Sequence, residues 1–188
     1  MGGTFDPIHV GHLRAAENAR EGLGLDEVRF LPAQVPPHRA APATSARDRF
    51  AMVALATALH PRFVADDLEL RREGPSYTVD TIARLRDERP GDDLVLIVGS
   101  DTYPELAGWR EHDRLFGMCT VAVVSRPDDG RPPRGPAAAY ADGVRVVPGP
   151  GLAVSATDIR RRVKEGLSIR YLVPETVADY IAKRGLYR

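Results

Sequence analysis

Five short runs rich in Val, Ile, Leu and Phe punctuate the chain: Val28–Leu31, Arg62–Ala65, Leu94–Val98, Thr120–Ser125 and Val144–Val147. Each has the length and composition of a strand. Between them, apolar residues recur every three or four positions and predict helices over Val10–Leu23, Ser45–Leu59, Thr78–Glu88 and roughly Trp109–Phe116. Strands alternating with helices of this length imply βαβ units, and hence an α/β fold with a doubly wound parallel sheet and helices on both faces. Leu94–Val98 is apolar without alternation, as a strand covered on both sides must be.

The last part of the chain reads as helical. Ser155-Ala156-Thr157-Asp158 has the spacing of a capping box, with Ile159 and Val163 turned inward and Gly166 as a stop. Pro174 opens a final helix striped by Val177, Ala178 and Ile181 and ended by Gly185. The expected organisation is one domain over 1–188, with an α/β core in 1–150 and a C-terminal helical part in 151–188. Pro127–Gly143, dense in proline and glycine, reads as a surface excursion.

Length and charge narrow the picture. At 188 residues the chain has the size of a single domain and can bury a core without disulfides or a structural metal. The 26 basic and 26 acidic residues cancel, which argues against a nucleic-acid footprint or a polybasic membrane anchor. Among the basic residues only Lys164 and Lys183 are lysine, a bias better explained by GC-rich codons than by ligand binding. Cys119 sits alone in an apolar run and is expected to be a buried, inert thiol. No apolar stretch approaches 18 residues and no charged-then-apolar leader opens the chain, so a cytoplasmic location is expected.

Two segments carry candidate chemistry. In Gly2-Gly3-Thr4-Phe5-Asp6-Pro7-Ile8-His9-Val10-Gly11-His12, adjacent glycines let main-chain N–H groups approach a phosphate, and Thr4 adds a hydroxyl. His9 and His12, three apart at a helix start, share one face, and Gly11 removes a side chain that would block a ligand there. Two imidazoles, free amides and a helix dipole suit a triphosphate and charge developing on it. In the second segment Ser155, Thr157 and Arg160 surround another helix N-terminus, where Arg160 could clamp distal phosphates through its planar fork. The Gly-rich turn follows no strand, although such a turn is normally delivered by the central first strand. Either the native chain begins upstream of Met1 or the sheet lacks that strand; the first strand is therefore expected to be missing from the chain as written.

These residues resemble a known family. Gly2–His12 resembles the signature GGTFDPxHxGH, and Ser155–Arg160 the partner motif [ST]xTxIR, of the HxGH nucleotidylyltransferases with their Rossmann-like fold. Pro36-Pro37-His38-Arg39, Arg49-Phe50-Ala51-Met52, Pro75-Ser76-Tyr77-Thr78, Gly99-Ser100-Asp101 with Trp109 eight residues on, and Tyr171-Leu172-Val173-Pro174 through Tyr187 narrow the resemblance to the bacterial nicotinate mononucleotide adenylyltransferases. Two departures stand out: Ala156 replaces a frequent second serine, and Arg110 follows Trp109 at a variable position.

The resemblance implies transfer of AMP from ATP to nicotinate mononucleotide, giving nicotinate adenine dinucleotide and pyrophosphate in NAD biosynthesis. It implies that His12, His9 and Arg160 are catalytic, with ATP bound by Gly2, Gly3, Thr4, Phe5, His9, His12, Asp101, Ser155, Thr157, Ile159 and Arg160. It assigns the acceptor to Thr4, His38, Arg39, Tyr77, Thr78, Asp101, Trp109 and Arg110, the indole stacking on the cationic pyridinium ring. Magnesium would ride on ATP phosphates and water, with no dedicated protein ligands. The expected partners are these two small molecules, with neither nucleic acid nor membrane, and with self-association left open. Two alternatives are a related adenylyl- or cytidylyltransferase, such as pantetheine-phosphate adenylyltransferase, and a nucleotide-binding module without turnover.

Overall fold

The structure is a computed structural model; it describes residues 1–37, 41–125, 142–149 and 151–188. His38 and Arg39 lie outside the described residues, as does nearly all of the Pro127–Gly143 excursion.

The strands are β1 (Gly2–Gly3), β2 (Val28–Pro32), β3 (Phe63–Ala65), β4 (Val95–Gly99), β5 (Thr120–Ser125) and β6 (Val144–Pro148). The helices are α1 (Val10–Leu23), α2 (Ala46–Thr57), α3 (Thr78–Glu88), α4 (His112–Phe116), α5 (Ala156–Lys164) and α6 (Glu175–Arg184). All strand pairs are parallel and form two three-stranded ladders, β1-β2-β3 and β4-β5-β6. Side chains alternate across the central strands as the pleat requires. Ile97, Ala122 and Val124 enter a core with α1, α2, α5 and α6, whereas Leu96, Val98, Val121 and Val123 enter a second core beneath Leu106 and Leu115. Cys119 belongs to that second core, where burial pushes its thiol up to about 11 and leaves it inert.

Three local outcomes differ from the pattern-based expectation. The first strand is present, as the two residues of β1: Gly2 and Gly3 lie opposite Leu31 and Pro32, and Ala33 N–H donates to the Gly3 carbonyl at 2.9 Å. A glycine pair has no apolar side chains to announce a strand, so tertiary pairing alone creates it. The helix expected over roughly Trp109–Phe116 forms only over His112–Phe116; Glu111 at φ 50° precedes it, and a 3₁₀ turn over Tyr103–Gly108 lies before Trp109. Pro174 caps α6 from just outside rather than from its first turn.

The C-terminal part does not stand apart. Val177 and Ile181 are fully buried in the main core, Thr176 donates to the Leu55 carbonyl at 3.3 Å, and Tyr180 donates to Asp48 of α2 at 2.9 Å. No helix among the described residues is long and apolar enough to cross a membrane.

Candidate active site

A cleft of about 720 Å³ opens at the C-terminal ends of β1, β4 and β5, where ligands of open parallel sheets collect. Its wall contains Gly2, Gly3, Thr4, Phe5, His9 and His12 from the first segment and Ser155, Thr157 and Arg160 from the second. Tyr77, Thr78, Asp101, Trp109 and Arg110 complete it. Residues up to 158 positions apart in sequence thus share one cavity, the turn after β1 being joined to α5 by the hydrogen bond from Arg160 to the Asp6 carbonyl.

His9 is the N-cap of α1, with extended backbone angles of φ −145° and ψ 170°. Its main-chain N–H, one that a helix start would otherwise leave without a helical partner, donates to Nδ1 of His12 at 3.2 Å. The two rings stack with centroids 3.6 Å apart and planes inclined by 19°. Phe5, buried and held at φ 50°, sets its ring edge against His12 at 5.1 Å. Burial first, and then the charge of His9, push the His12 imidazole well below its ordinary value of 6.5. The neutral ring accepts at Nδ1, so its proton sits on Nε2 and is available for donation.

Three glycines on this wall are set by close approach. A Cβ on Gly11 would stand 3.0 Å from His9 Nδ1, and one on Gly99 would meet Asp101 Oδ1 at 2.5 Å. Gly3 gives room to the Phe5 ring, 3.0 Å from where its Cβ would be.

Also on the cleft wall, Ser155 caps α5 and accepts from Asp158 N–H at 3.2 Å, so its hydroxyl oxygen is already engaged by the helix. Arg160 donates through Nη1 to the Asp6 carbonyl at 2.7 Å and through Nη2 to Thr157 Oγ1 at 3.3 Å. Ile159 is corrected as a ligand contact: its side chain is fully buried in the core and its N–H donates to the Ser155 carbonyl at 3.1 Å. Elsewhere on the wall, the Arg110 guanidinium lies 4.7 Å above the Tyr77 ring, and the half-buried Trp109 packs against the second core while also lining the cleft.

Three residues that build the site had no role assigned from the sequence: Arg49 stood in a quoted motif, and Glu69 and Asn18 in none. Arg49, 1% exposed, donates to the carbonyls of Thr4 at 2.8 Å and Ala33 at 2.6 Å, tying the Gly-rich turn to the end of β2. Its place three and four residues before Met52 and Val53, on the inward stripe of α2, was the available signal. Glu69 is buried on the cleft wall, accepts from Thr81 at 2.8 Å and has its carboxyl pushed up by burial. Asn18, also buried there, accepts from Arg14 at 2.6 Å and lies where a Cβ on Gly149 would reach its amide at 2.8 Å.

Residues 1–162 match the cytidylyltransferase-like family. A protein of Chromohalobacter salexigens described as "Probable nicotinate-nucleotide adenylyltransferase" is 44% identical, over 100% of this chain and 94% of its own. One of Thermus thermophilus with the same description is 47% identical, over 100% and 97%. In fold, the chain is similar to the Plasmodium falciparum nicotinic acid mononucleotide adenylyltransferase complexed with NaAD, at TM-score 0.79 and 18% identity over 99% of this chain and 94% of that one. The signature turn, the Ser155–Arg160 motif beside it and full-length likeness therefore agree: the chain belongs to the cytidylyltransferase-like family and, within it, to the nicotinate-nucleotide adenylyltransferases.

Proposed function

We propose that this chain transfers AMP from ATP to nicotinate mononucleotide, yielding nicotinate adenine dinucleotide and pyrophosphate in NAD biosynthesis, and that residues 1–188 act as one cytoplasmic catalytic domain. The observation that carries the reading is that the stacked His9 and His12 and Arg160 line a single cleft, with a neutral His12 poised to donate. The names of relatives at 44% and 47% identity over the whole chain support it.

The chemistry asks little of a base. The acceptor is a phosphate monoester with a second pKa of about 6, so its oxygen is already ionised at neutral pH. That oxygen attacks the α-phosphorus of ATP in line; the bond from the α-phosphorus to the bridging oxygen breaks, and pyrophosphate leaves with the electron pair. The protein must hold two polyanions together and stabilise charge on the α-phosphoryl oxygens. His12 donates from Nε2 to an α-phosphoryl oxygen, and His9 supports and orients it through the stack and its own main-chain N–H. Arg160 and Thr157 take the β- and γ-phosphates, Asp101 accepts from a ribose hydroxyl, and Gly2, Gly3 and Thr4 border the path of the acceptor.

The nicotinate ring stacks on Trp109 beside Tyr77, and amides near Thr78 and Arg110 meet its carboxylate. A nicotinamide group would bring N–H donors against those amides. Magnesium would be carried on ATP oxygens and water. Carried that way it would offset phosphate charge. Incubation with [α-³²P]ATP tests the reading: label should pass to nicotinate mononucleotide and never to the protein, and a labelled protein would contradict direct transfer.

A further inference from the structure

Four segments of the chain meet at Asp6, which is 5% exposed. Its Oδ1 accepts from the hydroxyls of Thr44 and Tyr187, both at 2.7 Å, and its Oδ2 from Ala43 N–H at 2.6 Å. Its main-chain carbonyl is the acceptor for Arg160 Nη1. One residue of the signature turn is thus fixed on its carboxylate side by the 43–44 segment and the C-terminus, and on its carbonyl side it aligns the arginine of the second motif.

Local structure brings Tyr187 there. Gly185 ends α6 at φ 64°, and Leu186 N–H returns to the Ile181 carbonyl at 3.1 Å, a left-handed helix stop that reverses the chain. Leu186 and Tyr187 then pack against the main core. Burial, and then the Asp6 carboxylate beside it, push the Tyr187 hydroxyl above its ordinary value of 10, so it remains a donor throughout the neutral range.

We infer that Tyr187, assisted by Thr44, is a positioning residue for the phosphate subsite: its hydroxyl fixes Asp6 and thereby the carbonyl on which the Arg160 guanidinium is aligned. The inference rests on the reading above of Arg160 as a ligand of the ATP phosphates. A hydroxyl that only pins down the C-terminus would affect stability and leave nucleotide affinity alone. A positioning hydroxyl acts on ATP through Arg160, and its effect disappears when Arg160 is gone.

The test is a double-mutant cycle read by equilibrium Kd for ATP and for nicotinate mononucleotide, in Tyr187→Phe, Arg160→Ala and the double variant. Tyr187→Phe should weaken ATP about tenfold, leave the acceptor Kd within twofold, and change ATP affinity less than twofold in the Arg160→Ala background. Thr44→Val removes the other hydroxyl on the same oxygen and should show the same dependence on Arg160, so it carries the cycle should Tyr187→Phe fail to fold. Equal losses of ATP affinity with and without Arg160, or a lowered Tm with ATP affinity unchanged, would overturn the inference alone. An Arg160→Ala variant that binds ATP normally would overturn the phosphate-subsite reading and the inference with it.

Discussion

His9 and His12 lie ring over ring, 3.6 Å between centroids, while the backbone N–H of the first donates to Nδ1 of the second. The capping of α1 and the orientation of the His12 imidazole are therefore one interaction. In the proposed role that imidazole is a donor that the transition state needs more than the ground state does. His12→Ala should lower kcat on the order of 10²-fold or more with the fold intact by circular dichroism. A loss below threefold would remove His12 from the chemistry.

Gly11 separates activity from stability. Alanine favours a helix over glycine by up to about 1 kcal/mol, so Gly11→Ala in α1 should hold or raise Tm. The added Cβ would stand 3.0 Å from His9 Nδ1 and 3.1 Å from its Cε1, displacing the upper ring of the stack, and kcat should fall about tenfold. Wild-type turnover in a folded variant would show that the stack is not needed.

The depressed titration of His12 fixes the sign of an acid effect. The unfolded chain takes up this proton near 6.5, whereas the folded one, with the ring buried beside His9, takes it up only at lower pH. Above 6.5 both states are neutral at this site and its contribution to stability is fully present; as pH falls below 6.5 the unfolded state binds the proton first and stability declines. Denaturant midpoints between pH 7 and 5 should therefore fall less steeply in His12→Asn than in the parent. Identical slopes would place His12 in a solvated setting.

These features were unequally legible. The helix over Thr78–Glu88 and the strand over Thr120–Ser125 follow from apolar spacing and turn chemistry, and the structure has both with the expected bounds. The pair Gly2–Gly3 carries no pattern and becomes a strand only because β2 lies beside it. The motifs pointed to the histidines and Arg160 but not to what orients them. Asp6 reads as a turn residue before a proline, and only the folded chain brings Thr44 and Tyr187 to it. Ile159 shows the reverse error: membership of a motif suggested a ligand contact, and helical periodicity turned the residue into the core.

Trp109 belongs both to the second core and to the cleft wall, so its two roles need separating. Stacking on a cationic ring is worth about 1–2 kcal/mol, so Trp109→Ala should raise the acceptor KM about tenfold with the KM for ATP little changed. Trp109→Phe should recover most of that loss. An unchanged acceptor KM with a lowered Tm would leave the indole a packing role only.

The most direct test of the proposed activity is pyrophosphate release from ATP, measured with nicotinate mononucleotide and then with nicotinamide mononucleotide as acceptor. The proposed acceptor site meets the nicotinate carboxylate with main-chain amides, so release should be rapid with the acid and at least tenfold lower in kcat/KM with the amide. Equal rates would contradict the assigned acceptor specificity, and no release with either would contradict the enzyme itself.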